Sequence, residues 1–286
     1  MDCALPKIKD LNNLASISEC SLSNNGCTGG LLGLTAEAVA AYSVLLLADC
    51  YSKEELLHVS RLCDSAKVQY FVSGGAFLDA WFISCLGSDY QFKNDPPNNK
   101  ELRTFQFPTL TEITEDIPGS SLVTKLHPVV SPVYLKARVL LAFCDEAFVS
   151  RTGTAVTAEA VRAELMTFLE SFIASEGLPK DCFTPDDVDE LCAVAKLRNK
   201  SLSNGRYLSN PIVVHSIVGS FLSQEVIKVL SLVGEPMFNI FAFSSLKFEG
   251  KVFPAKKPAV SICNTNSSDC HVAKKQRVEE VEIFEL

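Results

Sequence analysis

Residues 42–73 constrain the fold more than any other part of the sequence. Residues 42–48 form a continuous apolar run of strand length, as expected for a strand covered on both faces. Ser52 is a natural helix N-cap, acidic residues follow it, and apolar residues then recur every three or four positions. A second apolar run at residues 69–73 completes a β-α-β unit. Because such units join parallel strands, the sequence predicts an α/β fold with a parallel sheet.

The composition changes after residue 87. Residues 88–131 contain paired prolines and paired asparagines with little periodicity, which is typical of a linker. Helical periodicity returns at residues 132–148 and 157–174, and Thr184 begins a third helix with an N-cap, a proline and two acids. We therefore expect three parts: a partial α/β part over residues 1–87, a linker and helical insertion over 88–205, and a helix with a strand pair over 206–286.

The C-terminal part contains the longest apolar segment, residues 211–233. Polar residues within this segment, Gln224, Glu225 and Lys228 among them, favour a buried helix over a membrane anchor. Strands are predicted at residues 239–243 and 281–286, and we expect them to pair with each other. The polar residues 249–277 between them are predicted to be a flexible basic loop.

Charge and cysteine usage exclude several function classes. The 26 basic and 34 acidic residues give a net charge of −8, so no overall basic field attracts nucleic acid or anionic lipid. Eleven cysteines without any C-x-x-C pair indicate a reducing compartment rather than a disulfide scaffold, and they disfavour zinc ribbons and redox dithiols. We therefore expect neither a nucleic-acid partner, a membrane partner nor a metal site.

Two blocks resemble the adenylation fold of the ubiquitin-like-protein activating enzymes, the family that includes the bacterial sulfur-carrier adenylating proteins. The first covers residues 43–63 and 72–75. The second covers residues 211–228 and 234–243, and it is similar to the family's Gly-Gly-x-x-x-Gln-Glu-x-x-Lys helix and the strand after it. Gly219-Ser220 replaces the paired glycines. The resemblance implies a Rossmann-like adenylation fold with a mostly parallel sheet and a helical insertion.

Active members of this family carry D-x-x-D-N-x-x-x-R-x-x-x-N after the corresponding strand, where the motif binds magnesium and the nucleotide. Alignment on Cys63 places other residues at the five motif positions: Ala48, Tyr51, Ser52, Leu56 and Ser60. A tyrosine does not ligate magnesium as a carboxylate does, and a leucine does not neutralise a phosphate. The resemblance therefore implies no catalytic residue and no bound cofactor in this chain, with ATP and magnesium bound by a partner subunit.

Within the family, the chain length and the modest insertion are similar to the small, non-catalytic subunits of SUMO-activating enzymes. The implied partners are a larger catalytic subunit in a heterodimer and, transiently, SUMO. The equivalent neddylation subunit and a scaffold without any role in adenylation are the alternatives. The family's glycine-rich first β-α-β unit would precede Lys7, so we expect an N-terminally truncated fold.

Two further sets of residues have a functional and a structural interpretation. Gln224, Glu225 and Lys228 lie at helical spacing, and a salt bridge on a helix surface or at a subunit interface explains them better than a catalytic face. Lysine pairs at residues 256–257 and 274–275 resemble a two-part nuclear import signal and are equally typical of a solvated loop. The expected location is the nucleus and the cytoplasm.

Overall fold

The structure is a computed structural model of the 286-residue chain, and it describes residues 16–21, 30–48, 53–76, 78–93, 102–120, 131–149, 158–204, 212–256, 259–263 and 280–285. The described strands are β1 (Ser16–Ser21), β2 (Val44–Ala48), β3 (Gln69–Ala76), β4 (Asp79–Cys85), β5 (Tyr90–Lys93), β6 (Leu102–Gln106), β7 (Ile240–Ser244), β8 (Glu249–Phe253), β9 (Ala259–Cys263) and β10 (Glu280–Glu285). The described α-helices are α1 (Ala36–Ala40), α2 (Lys53–Ala66), α3 (Ser131–Val149), α4 (Ala158–Glu176), α5 (Pro185–Asn204) and α6 (Ile212–Ser231).

The predicted β-α-β unit is present. β2 and β3 pair in parallel, with Val44 opposite Gln69, and α2 connects them. Glu54 and Glu55 lie in the first turn of α2, where negative charge favours the helix dipole. The inward face of α2 buries apolar residues against the sheet, including Leu56, Val59 and Cys63. Burial of this stripe explains why the helix forms at this place in the sequence.

The α/β class is confirmed, but the prediction of a mostly parallel sheet is wrong. The main sheet has five strands in the order β2-β3-β4-β7-β8, and its pairs other than β2 with β3 are antiparallel. The physical reason is the short connections: β3 leads to β4, and β7 to β8, through turns of two and four residues, which join antiparallel neighbours. The carboxyl ends of β2, β3 and β7 lie at the edge of the sheet where Asp79 begins β4.

The segments interpreted as linker and flexible loop contribute strands. β5 and β6 lie within the predicted linker, β9 lies within residues 249–277, and together they form a three-stranded antiparallel sheet in the order β5-β6-β9. β8, also within residues 249–277, is an edge strand of the main sheet. Buried aromatic residues of β5 and β6 pack against each other. The rings of Phe92 and Phe105 are in edge-to-face contact, with 4.9 Å between their centroids.

The predicted helices of the insertion are present as α3, α4 and α5. They pack around an apolar core of their own that includes Leu135, Leu165 and Leu191. The start of α5 has a reciprocal cap: the Asp187 amide donates to Thr184 Oγ1 at 3.2 Å, and the Thr184 amide donates to the Asp187 carboxylate at 2.9 Å. This capping arrangement is what the Thr-Pro-Asp-Asp sequence predicts.

The C-terminal strand does not pair as predicted. β10 pairs in parallel with β1, placing Ile17 opposite Val281, whereas β7 lies between β4 and β8. Strand alternation identifies a strand but not its neighbour, so the local pattern did not distinguish these arrangements.

The predicted helix is present as α6. It is buried on one face only, so the prediction of a buried helix is correct for that face and wrong for the other. Among the described residues, the segment Val213–Ser231 is long and apolar enough to cross a membrane by length and composition, with 22% of the window buried. The absence of a membrane partner stays a prediction.

Candidate functional site

One face of α6 packs on the main sheet. Its buried stripe consists of Val214, Val218, Leu222, Glu225 and Val229, spaced by three or four residues. The four apolar positions of this stripe belong to the cluster that contains the sheet's phenylalanines. Ile217 and Val226 also pack against this cluster, and the Phe221 ring lies 4.9 Å from the Phe241 ring between centroids, so the sheet-facing side of α6 is wider than the buried stripe.

The opposite face of α6 is uncharged and exposes three aliphatic side chains. Val213, Ile227 and Leu230 are 62%, 63% and 60% exposed, far more than large aliphatic residues in a packed helix. The residues between them on this face are small: Ser216, Gly219, Ser220 and Ser223. We call these seven residues the α6 outer face. Small side chains between aliphatic ones allow another backbone to approach closely.

At Gly219, packing within the described part of the chain does not account for the small side chain. A Cβ atom built on Gly219 meets no heavy atom within 4 Å among the described residues. Glycine in a helix interior costs about 0.5–1 kcal/mol relative to alanine. Since nothing described in the chain requires the missing Cβ, the small residue fits an approach from outside.

The charged residues of α6 are paired with each other and with the loop that follows the helix. Glu225 is 1% exposed, and its Oε1 accepts a hydrogen bond of 2.6 Å from Lys228 Nζ. Its Oε2 accepts from the Met237 amide at 2.7 Å, while Lys228 also donates to the Glu235 carbonyl at 3.0 Å. The predicted salt bridge therefore forms, but Glu225 is buried rather than on a surface. Gln224 is exposed.

Of the five positions aligned with the nucleotide motif, the structure describes three, and two of these lie in the core. Leu56 is 4% exposed within the core, and Ser60 is fully buried with its hydroxyl 2.7 Å from the Tyr70 hydroxyl. Ala48 is exposed at the carboxyl end of β2. Tyr51 and Ser52 lie outside the described residues. Since Leu56 and Ser60 serve the core, the described motif positions do not fit ATP and magnesium.

A buried charge cluster, which the sequence analysis did not find, joins the main sheet to the helical insertion. Lys136 on α3 is 4% exposed in its side chain and contacts three carboxylates. Its Nζ lies 2.7 Å from Asp79, 2.6 Å from Glu190 and 3.4 Å from Asp187. Burial disfavours the ammonium, but the carboxylates outweigh burial and raise the pKa of Lys136. The sequence signal that could have indicated a buried charge here is the single lysine within the run VYLKARVLL, which is mostly apolar.

For Glu190 in this cluster, the surroundings favour the neutral form of the side chain, whereas for Lys136 they favour the charged form. Burial raises the pKa of its carboxyl, and Lys136 only partly offsets that effect. Asp79 Oδ1 and Glu190 Oε1 are buried, and neither has a hydrogen-bond partner in the part of the chain that the structure describes. Among the described residues no cluster of three or more His, Cys, Asp or Glu side chains is arranged to hold a metal ion.

Neither a family model nor a curated protein matches this chain. The geometry and the sequence motifs therefore carry the functional argument. The described residues offer an uncharged helix face with three exposed aliphatic side chains, and the Glu225–Lys228 pair lies on the other side of this helix. Such a face is typical of a protein interaction site.

Proposed function

We propose that this chain is the non-catalytic subunit of a heterodimeric SUMO-activating enzyme of the ubiquitin-like-protein activating family, with an adenylation fold that no longer adenylates. In this role it binds a larger catalytic subunit, which holds ATP and magnesium, adenylates the C-terminal glycine of SUMO and takes the modifier onto its own cysteine as a thioester. The chain contributes a folded surface that completes the heterodimer, and its proposed location is the nucleus and the cytoplasm.

The observation that carries this proposal is the α6 outer face. It belongs to the segment whose sequence resembles the family's Gly-Gly-x-x-x-Gln-Glu-x-x-Lys helix, and its three aliphatic residues are at least 60% exposed. Transfer of a large aliphatic side chain from water into an interface stabilises the complex by about 1.5–3 kcal/mol before association costs. A partner that covers Val213, Ile227 and Leu230 together therefore gains substantially from this face.

The residues at the aligned motif positions support the assignment of ATP binding and adenylation to the partner subunit. Leu56 and Ser60 lie within the core, where an arginine and an asparagine would hold the nucleotide in an active family member. The chain has no described group at these positions that would neutralise phosphate or ligate magnesium. Adenylation is therefore assigned to the partner.

Two other roles use the same surface. The first is a scaffold that binds the partner without promoting adenylation. The burial of Leu56 and Ser60 in the core favours this role. The equivalent subunit of the neddylation enzyme differs only in the partner and the modifier that it serves. Both alternatives predict partner binding, and they are separated by the reaction that follows.

The test is reconstitution of the heterodimer. The full chain is co-expressed with candidate catalytic subunits from the same organism, and ATP-dependent thioester formation is measured with SUMO and with the neddylation modifier, with and without this chain. We expect thioester on the SUMO partner only when the chain is present. Binding without a gain in thioester indicates a scaffold, gain with the other modifier indicates the neddylation role, and absence of binding contradicts the proposal.

A further inference from the structure

We propose that Glu190 binds a proton at the junction between the main sheet and the helical insertion, and that this proton strengthens the hold of α5 on the sheet. The junction contains Lys136 on α3 and three carboxylates: Asp79 on β4, and Asp187 and Glu190 on α5. With every carboxylate ionised, one cation faces three anions. Such an excess of negative charge is costly to bury, and uptake of a proton reduces it.

The charge cluster lies where two apolar cores meet on α3. Tyr134 belongs to the core of the main sheet, and its neighbour Leu135 belongs to the core of the helical insertion. The buried apolar residues described on α5 all belong to the insertion's core. Lys136 contacts Asp79 of the sheet and Glu190 of α5 through the same ammonium nitrogen. A change of charge in the cluster therefore acts on the contact between α5 and the sheet.

Asp187 is not the carboxylate that takes the proton. Its Oδ2 accepts hydrogen bonds from the Thr184 amide at 2.9 Å and from the Thr184 hydroxyl at 2.7 Å, while Oδ1 lies 3.4 Å from Lys136 Nζ. Burial on its own would raise the pKa of Asp187, but the bonds with Thr184 and the charge of Lys136 outweigh burial and lower it. Asp187 therefore keeps its charge, and the proton goes to one of the other two carboxylates.

Asp79 and Glu190 share the surplus negative charge. Each has one oxygen near Lys136 Nζ, at 2.7 Å and 2.6 Å, and one buried oxygen without a hydrogen-bond partner among the described residues. The Asp79 side chain is 3% exposed and that of Glu190 is 15% exposed, so solvent reaches Glu190 more readily. A protonated Glu190 keeps an acceptor oxygen for Lys136 and gains an O–H donor. Glu190 is therefore the proton-binding member of the pair.

The direction of the pH effect follows from the groups that face Glu190 from β4, α3 and α5. Burial raises the pKa of Glu190 above its ordinary value of 4.5, Lys136 partly offsets this effect, and Asp79 and Asp187 raise the pKa further. The folded chain thus binds the proton more tightly than the unfolded chain. Stability that is fully present below pH 4.5 is lost as the pH rises through the pKa of the folded state. Loss of the proton leaves Asp79 and Glu190 to repel each other and weakens the hold on α5.

The experiment is amide hydrogen exchange of the full chain at about pH 5.5 and about pH 7.5, with rates corrected for the intrinsic pH dependence of exchange. Exchange resolved by segment compares α5 with the strands of the main sheet in the same sample. We expect the corrected exchange of α5 to be at least about fivefold faster at the higher pH, with a smaller change in the sheet. An α5 that shows no pH dependence, or the same change as the sheet, would overturn the proposal.

Glu190→Gln is the variant that mimics the protonated side chain. Its amide keeps an acceptor for Lys136 and supplies N–H donors, so exchange of α5 at about pH 7.5 should be as slow as in the wild type at about pH 5.5. Glu170→Gln is the matched control, because it removes an exposed carboxylate on α4, and it should keep the pH dependence of the wild type. Full pH dependence in Glu190→Gln would contradict the assignment of the proton to Glu190.

Asp79→Asn tests the same site through its other carboxylate and decides the question if Glu190→Gln does not fold. Removal of the Asp79 charge lowers the pKa of Glu190, so the rise in α5 exchange should move to a lower pH than in the wild type. A rise at an unchanged pH would overturn the proposal. None of these measurements involves thioester formation, so this proposal and the proposed function fail independently.

Discussion

The Glu225 carboxylate accepts a hydrogen bond of 2.7 Å from the Met237 amide, twelve residues further along the chain. Through this bond and its ion pair with Lys228, Glu225 fixes the connection between α6 and β7. The helical spacing predicted the ion pair with Lys228, but it did not indicate that Glu225 is buried or that it binds the Met237 amide. The apolar stripe on either side of Glu225 holds α6 against the sheet, and this support presents the α6 outer face to solvent.

Glu225→Gln is expected to lower the free energy of unfolding by about 1.5–3 kcal/mol, because it removes the carboxylate charge from the hydrogen bonds with Lys228 and the Met237 amide. Urea unfolding followed by circular dichroism measures this change. Gln224→Ala is the matched control on the neighbouring, exposed position, and we expect it to stay within about 0.5 kcal/mol of the wild type. Equal effects of the two substitutions would contradict the structural role of Glu225.

Lys136→Met is expected to lower the free energy of unfolding by about 3–5 kcal/mol, because three carboxylates then lose their buried counter-ion. The matched control is Arg162→Met on α4. Arg162 forms an ion pair with Asp189, but both side chains are at least half exposed, and such pairs contribute about 0–1 kcal/mol. Urea unfolding measures the loss in each variant. Similar losses would show that the Lys136 cluster does not stabilise the junction between the main sheet and the helical insertion.

Alkaline pH is expected to weaken the fold partly through Cys63. Burial raises the pKa of this thiol from 9.0 to about 12. The unfolded chain therefore loses the proton first, and stability present below pH 9.0 is lost as the pH rises towards about 12. For this thiol the loss between about pH 8 and about pH 10 is about 1.4 kcal/mol.

Cys63→Ala is the variant that tests this linkage. It removes the thiol, so its free energy of unfolding should fall less than that of the wild type between the same two pH values. The comparison uses the pH dependence of each protein and not its absolute stability, because the smaller side chain also leaves a cavity. The same slope in both proteins would exclude Cys63 as a source of alkaline sensitivity.

Gly219→Ala is expected to stabilise the chain without its partner by about 0.5–1 kcal/mol, because the new methyl group meets open space in a helix interior. Gly74→Ala is the contrasting control. A Cβ at Gly74 would lie 2.7 Å from the Trp81 ring, so this substitution should destabilise the chain. Thermal unfolding of both variants compares the two sites, and destabilisation by Gly219→Ala would mean that α6 packs more tightly than described.

The β-α-β unit and the insertion helices were predictable because their signals are local. The cap at Thr184 and the apolar periodicity of α2 each lie within a few residues of the element that they specify. β6 lacked such a signal: its buried residues Leu102 and Phe105 are three positions apart, so the strand does not alternate in polarity. Segments of this kind become strands through long-range pairing, which short-range patterns do not encode.

The candidate site was predictable only in part. The sequence identified α6 and the pairing of Glu225 with Lys228, but not which side of the helix faces the sheet, because apolar residues occur all around it. The sequence also contained a signal for Lys136 but none for its partners, since the members of the cluster come from β4, α3 and α5 and meet only in the folded chain.

The most direct test of the central claim is the thioester assay with a charge introduced into the α6 outer face. Ile227→Arg replaces a residue that is 63% exposed, and Met166→Arg introduces the same charge at a 43% exposed apolar residue on α4. We expect Ile227→Arg to lower thioester formation and co-purification of the catalytic subunit by at least about tenfold, since it buries an unpaired charge in the interface. Met166→Arg should match the wild type. Full thioester formation with Ile227→Arg would contradict the account.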